Sequence, residues 1–177
     1  ESAPVRWRVS ARGTGGQPLV YRVTRIGGVG RLVAVMVSVG APVQWINNND
    51  MGFKPPRHVK LDQSDAEAGR RTRSIIMFMG PLMHLLPQFR IPYAGGCKLG
   101  ERTVKPHLFA LEEFGLKVDT TGGWNNCTSK PIQPGRVVMY ESGDTTTENA
   151  LMAAARTDGV TVIQQGSAND RVRGVSL

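Results

Sequence analysis

The stretch from Thr72 to Thr121 reads TRSIIMFMGPLMHLLPQFRIPYAGGCKLGERTVKPHLFALEEFGLKVDTT, and its succession of element types decides the fold. Thr72 to Leu86 is apolar on nearly all sides, which predicts a helix buried inside a domain. The Gly80-Pro81 pair should kink or divide it, because proline removes a ladder donor and glycine relaxes the backbone. A short strand is expected from Phe89 to Tyr93. Thr103 to Gly115 then reads as a second helix with Leu108, Leu111 and Phe114 on its apolar face and Gly115 at C′. A strand follows at Leu116 to Thr120. Helix, strand, helix and strand in that order predict an α/β domain.

The same design recurs on both sides. Upstream, a strand at Leu19 to Val23 leads to a helix at Gly30 to Gly40, with Leu32, Val33, Met36 and Val37 on its face, and then a strand at Val43 to Ile46. Downstream, Thr145 to Arg156 reads as a helix, Asp158-Gly159 as its stop, and Val160 to Gln164 as a strand. Gly40 and Gly115 lie 75 residues apart, and Thr72 and Thr145 lie 73 apart. That near-equality predicts a repeated strand-helix-strand-helix unit. The expected division is an irregular segment over 1–17, then a lobe over 18–177. The lobe holds a partial unit (18–60), a complete unit (72–121) and a partial unit (137–177), so the domain reads as incomplete. The start at Glu1 rather than Met leaves processing or truncation open.

Composition sets the outer bounds. Over 177 residues, 40% hydrophobic and 20% charged content is ordinary for a globular domain and argues against disorder. The formal charge of +8 favours anionic partners without choosing among them. Two cysteines, Cys97 and Cys127, are too few for a disulfide framework and form no CxxC pair, so a reducing, cytoplasmic setting is expected. No apolar run approaches the ~20 residues of a membrane span, and the N-terminus has no signal-like apolar core. His58, His84 and His107 have no metal spacing, no cofactor fingerprint is present, and neither metal nor cofactor is expected. Trp7, Trp45 and Trp124 are isolated, so no stacking platform for nucleic acid is expected.

Chemistry concentrates between Tyr93 and Arg102. Gly95, Gly96 and Gly100 let the backbone turn sharply and approach a ligand. Cys97 sits mid-loop near Lys98 and Arg102, with a helix start just beyond, and both cations and helix N-termini lower a thiol pKa. A reactive thiol and a small buried thiol beside a turn both fit that pattern. Arg70 and Arg71 read as a solvated helix end. Arg73 precedes an entirely apolar run, where its guanidinium either binds phosphate or carboxylate or ends the helix in solvent.

The order of the RSIIMFMGPL helix, a strand, and AGGCKLGERTVKPHLFALEEFG resembles the UDP-N-acetylglucosamine 1-carboxyvinyltransferases, which open peptidoglycan synthesis. A second match runs over about 137–169, from VVMYESGDTTTENALMAAAR onward, while 18–46 agree in pattern only. The resemblance implies one partial lobe of the inside-out α/β barrel of enolpyruvyl transferases, with helices buried beneath small sheets. It implies a transferase moving the enolpyruvyl group of phosphoenolpyruvate to the sugar 3-hydroxyl. By the resemblance, Cys97 protonates the methylene carbon of phosphoenolpyruvate and is the target of the epoxide fosfomycin. Arg102 and Arg73 hold the anionic ligands. Thr103, Val104, Lys105 and Pro106 cradle the uridine, and Ser142, Gly143 and Thr145 meet the nucleotide from the next unit. Cys127 matches nothing and reads as a bystander.

Three departures bear on function. The uridine turn carries Lys105 where the family has an acid, and Glu141 and Asp144 bring acid to the second nucleotide turn. The family's N-terminal Lys-Asn pair has no counterpart, and neither has its second lobe, which another chain would have to supply. Two readings follow besides the transferase. One is a non-catalytic lobe that binds a nucleotide sugar or a protein. The other is a basic RNA-binding domain, resting on charge alone.

Overall fold

The computed structural model describes residues 8–10, 19–21, 23, 27–38, 40–54, 66–71, 73–93 and 103–173. They belong to two compact units, Glu1–Thr72 and Arg73–Leu177.

In the first unit, β1 (Arg8–Ser10), β2 (Leu19–Tyr21), β3 (Val43–Trp45) and β4 (Met51–Phe53) form an antiparallel sheet in the order β1-β2-β4-β3. Helix α1 (Gly27–Ser38) crosses from β2 to β3, and α2 (Ala66–Arg70) closes the unit. The small core joins Val23, Val29 and Met51, with Val33, Trp45 and Phe53 packed against it. The expected apolar face of α1 is therefore corrected. Val29 and Val35 are the buried positions, and Val37 is 49% exposed. Of the expected face, Val33 packs against the core and Leu32 and Met36 are half-buried.

In the second unit a 3-10 helix (Arg73–Phe78) runs into α3 (Met79–Leu82), then β5 (Gln88–Pro92), α4 (Lys105–Glu112), β6 (Leu116–Thr121) and β7 (Trp124–Ser129). The chain continues through β8 (Arg136–Val138), α5 (Asp144–Ala154), β9 (Val162–Gln164) and α6 (Asp170–Arg173). Strands β5-β7-β6 form an antiparallel sheet, and β8-β9 pair in parallel. Helix α5 packs against α3, α4 and the 3-10 helix.

The helix expected over Thr72 to Leu86, with a kink or division at Gly80-Pro81, is divided just before that pair and ends at Leu82. Met79, at the start of α3, is fully buried, as a helix inside the domain requires, yet Leu85 is 51% exposed. The reason for the break lies in α5. An unbroken helix would bond Gly80 N–H to the carbonyl four residues back, that of Ile76. Instead Gly80 N–H donates to Asn149 Oδ1 at 3.0 Å, and Asn149 Nδ2 donates to Ile76 O at 3.1 Å. The amide of a distant residue is inserted into the ladder, and the chain on its N-terminal side tightens to 3-10 geometry.

Four strands, β1, β4, β7 and β8, escaped the sequence reading, and β1 lies in the segment expected to be irregular. In each unit the helix is followed by an antiparallel pair, β3-β4 or β6-β7, whose second strand lies beside the strand that precedes the helix. The recurring element order is thus strand, helix, strand, strand, which adds a strand to the expected unit. Gly122 and Gly123, with φ of 61° and 77°, make the β6–β7 turn, where two consecutive positive φ values suit a two-residue hairpin loop. Gly115 does cap α4, at φ 92°, its N–H donating to Glu112 O at 2.8 Å.

Candidate functional site

Of the residues singled out for chemistry, Arg73, Thr103 and Thr145 lie at the start of the 3-10 helix and the first turns of α4 and α5. Val104 is buried, Pro106 occupies the first turn of α4, where a missing N–H costs nothing, and Lys105 is exposed. Thr103 Oγ1 accepts from Lys105 N–H at 3.1 Å, fixing the entry to the helix. Arg73 Nη2 donates to Thr103 O at 3.2 Å. The guanidinium is thereby held against the turn that leads into α4.

Between the two helices lies His107, which is 4% exposed. It shares a face of α4 with Leu111 and Phe114, at the i+4 and i+7 positions, and both are buried. Its Nδ1 is 3.4 Å from Asn149 Nδ2 and its Nε2 is 3.5 Å from Thr145 Oγ1. Burial, and secondarily the Arg73 charge, push its pKa down from 6.5 to about 4. The imidazole is therefore neutral at physiological pH. Sequence reasoning set His107 aside as an isolated histidine. The available signal was its position on the core-facing stripe one step beyond the Thr103–Pro106 turn.

The turn into α5 carries the other candidates. Ser142 is exposed, and Gly143 caps the helix in an extended conformation. The carbonyl of Gly143 accepts from Thr147 N–H at 2.9 Å and from Thr147 Oγ1 at 2.8 Å. Asp144, in the first turn, accepts from Ser167 Oγ at 2.6 Å and Asn169 Nδ2 at 2.7 Å. The acid noted there as a departure ties the turn to the segment before α6. Thr145 is exposed at the same helix end. Arg73 and Thr103 are thus in contact, as are Thr145 and His107, and none of the described contacts reaches Ser142. Cys97 and Arg102 lie outside the described residues.

Cys127 sits mid-strand in β7, the central strand of its sheet, opposite Phe89 and Val118. Burial raises its thiol pKa to about 12, as fits a packing role. Among the described residues no cluster of His, Cys, Asp or Glu could hold a metal, and no helix is long and apolar enough to cross a membrane.

Among solved structures, the chain is similar to the enolpyruvyl transferase NikO from Streptomyces tendae, with a TM-score of 0.72 at 15% identity over 88% of this chain and 37% of that one. It is also similar to the EPSP synthase of Acinetobacter baumannii, with a TM-score of 0.53 at 14% identity over 81% of this chain and 34% of that one. The fold is that of the enolpyruvyl transferases. Residues 20–173 match the family model described as EPSP synthase (3-phosphoshikimate 1-carboxyvinyltransferase), and the chain belongs to that family.

Two curated relatives bear the name UDP-N-acetylglucosamine 1-carboxyvinyltransferase. The one from Bradyrhizobium diazoefficiens is 31% identical over 87% of this chain, and that from Helicobacter pylori is 29% identical over 75%. The chain spans only 35% and 31% of their respective lengths.

Proposed function

We propose that the chain forms part of an enolpyruvyl transferase that moves the enolpyruvyl group of phosphoenolpyruvate to the 3-hydroxyl of UDP-N-acetylglucosamine, a cytoplasmic step in peptidoglycan precursor synthesis. The observation that carries this reading is the convergence of Arg73, Thr103, His107 and Thr145 at the facing first turns of α4 and α5. Helix N-termini and a guanidinium together favour anions, and both substrates are strongly anionic. The names of the curated relatives supply the sugar acceptor.

In this reading Cys97 delivers a proton to the methylene carbon, and positive charge develops on the neighbouring carbon. The sugar hydroxyl attacks that carbon, forming a tetrahedral adduct. The hydroxyl proton leaves with the departing phosphate while the Cys97 thiolate takes a proton back from the new methyl group, which restores the C=CH2 bond. Arg73 and Arg102 neutralise the phosphate as it goes. Thr103, Val104, Lys105 and Pro106 hold the uridine, while Ser142, Gly143 and Thr145 meet the nucleotide at the other helix. Lys105 in place of an acid favours a phosphate over a base N–H at its position. A second lobe, from outside these 177 residues, completes the site and excludes water on closure. The domain boundaries proposed above, with a lobe over 18–177, belong to the same reading.

Phosphate release from phosphoenolpyruvate, followed with and without UDP-N-acetylglucosamine, tests the proposal. The experiment uses the chain together with a complementary lobe from a curated relative. Release that requires the sugar nucleotide and disappears in Cys97→Ala supports it. Release indifferent to either change refutes it.

A further inference from the structure

His107 is buried, polar and assigned no role by the transferase chemistry, yet it touches one of the proposed ligand contacts. Its surroundings fix its protonation pattern. Asn149 Oδ1 accepts from Gly80 N–H, which identifies the other amide atom as nitrogen. That nitrogen has two protons. One is donated to Ile76 O at 3.1 Å, and the second faces His107 Nδ1 at 3.4 Å. A donor facing Nδ1 requires Nδ1 to accept, so the imidazole proton resides on Nε2.

Nε2–H then faces Thr145 Oγ1 at 3.5 Å, and the hydroxyl is its acceptor. A hydroxyl that accepts from a buried donor directs its own proton elsewhere. Thr145 is exposed in the first turn of α5, where backbone N–H groups already favour negative charge. The whole chain of groups starts at the break between the 3-10 helix and α3 and ends at the exposed Thr145 hydroxyl.

We propose that His107 is a positioning residue that fixes the Thr145 hydroxyl as a hydrogen-bond donor toward an anionic oxygen of the ligand, the diphosphate of a nucleotide sugar. This inference rests on the transferase reading for the identity of that ligand. Both contacts to the ring lie at the outer edge of hydrogen-bond range and shorten when Thr145 is drawn onto the ligand. A protonated ring would turn a second donor onto the Asn149 N–H and break the chain at its first link. Thr145 is also the one hydroxyl of the α5 first turn in contact with the imidazole among the described hydrogen bonds.

The test has two arms, both on the 177-residue chain. In the first, nitrogen-15 long-range NMR reads the His107 tautomer without ligand. The Nε2–H form is expected, and the Nδ1–H form or an imidazolium at neutral pH overturns the proposal. In the second, binding of UDP-N-acetylglucosamine is measured for His107→Phe, Thr145→Val, Thr145→Ser and the double variant His107→Phe/Thr145→Val. Each of the first two should weaken binding about tenfold, as loss of one charge-assisted hydrogen bond does. Thr145→Ser should retain affinity, and the double variant should be no weaker than either single one. Additive losses, or a His107→Phe variant that melts earlier but binds normally, overturn the relay. Failure of the unaltered chain to bind the sugar nucleotide counts against the transferase reading. The relay then stands or falls on the tautomer.

Discussion

Gly80 and Asn149 are joined across 69 residues by a hydrogen bond from the Gly80 N–H to Asn149 Oδ1, in a space with no room for a side chain at position 80. A Cβ there would lie 2.6 Å from both the backbone oxygen and Oδ1 of Asn149. This contact breaks the apolar helix, locks α3 to α5 and anchors the Asn149 amide that reaches His107.

Gly80→Ala should destabilise the second unit by about 2–3 kcal/mol, because the nearest obstacle is helix backbone that cannot swing aside. Asn149→Ala removes the acceptor of the buried Gly80 N–H and a donor to the Ile76 carbonyl, and should cost about 2–4 kcal/mol. The two sites share one contact, so the double variant should fall short of the sum. Urea denaturation of the four proteins checks all three statements.

Acid should weaken the fold through His107. The unfolded chain takes up this proton near pH 6.5, whereas the folded chain takes it up near pH 4. Between those values the unfolded state binds more protons, and stability falls as pH falls. The loss through this one group is about 3 kcal/mol, complete below pH 4. His107→Phe should flatten that part of the profile, as read from denaturation midpoints across the interval.

Arg73 is the second cause of the low His107 pKa, after burial. Arg73→Gln should therefore raise the His107 pKa above about 4 without restoring 6.5, as an NMR titration would report. The same change removes the donor to Thr103 O and, under the proposed function, lowers phosphate release by ~10²-fold. Arg73→Lys should recover little of the rate, because an ammonium does not reproduce a planar fork.

Much of this fold was legible because its signals are local. Gly115 ends α4 as a left-handed residue, and Leu111 and Phe114 lie on the buried face, as their spacing predicts. Strand β7 was not legible from its residue types. Its inward positions are Asn125 and Cys127, and the buried Asn125 Oδ1 accepts from Thr120 Oγ1 at 2.8 Å. The Gly122-Gly123 pair was the usable hairpin signal. The division of the apolar helix was signalled by Gly80-Pro81, but the 3-10 form of its first part was not, since it involves Asn149 from another element. His107 was passed over for a related reason, as its role depends on Arg73, Thr145 and Asn149 lying close in space but not in sequence.

Cys127 should resist alkylation at neutral pH in the folded chain, since a buried thiol with a pKa near 12 offers almost no thiolate. Iodoacetamide followed by peptide mapping should modify it only after denaturation. Rapid modification of Cys127 in the native chain would contradict its placement on the inner face of the sheet.

The most direct measurement of the proposed function is the intact mass of the chain after incubation with fosfomycin, with and without UDP-N-acetylglucosamine. The expected result is a single adduct that maps to Cys97, forms faster in the presence of the sugar nucleotide and leaves Cys127 untouched. No adduct at Cys97, or equal labelling of Cys97 and Cys127 regardless of the sugar nucleotide, would contradict it.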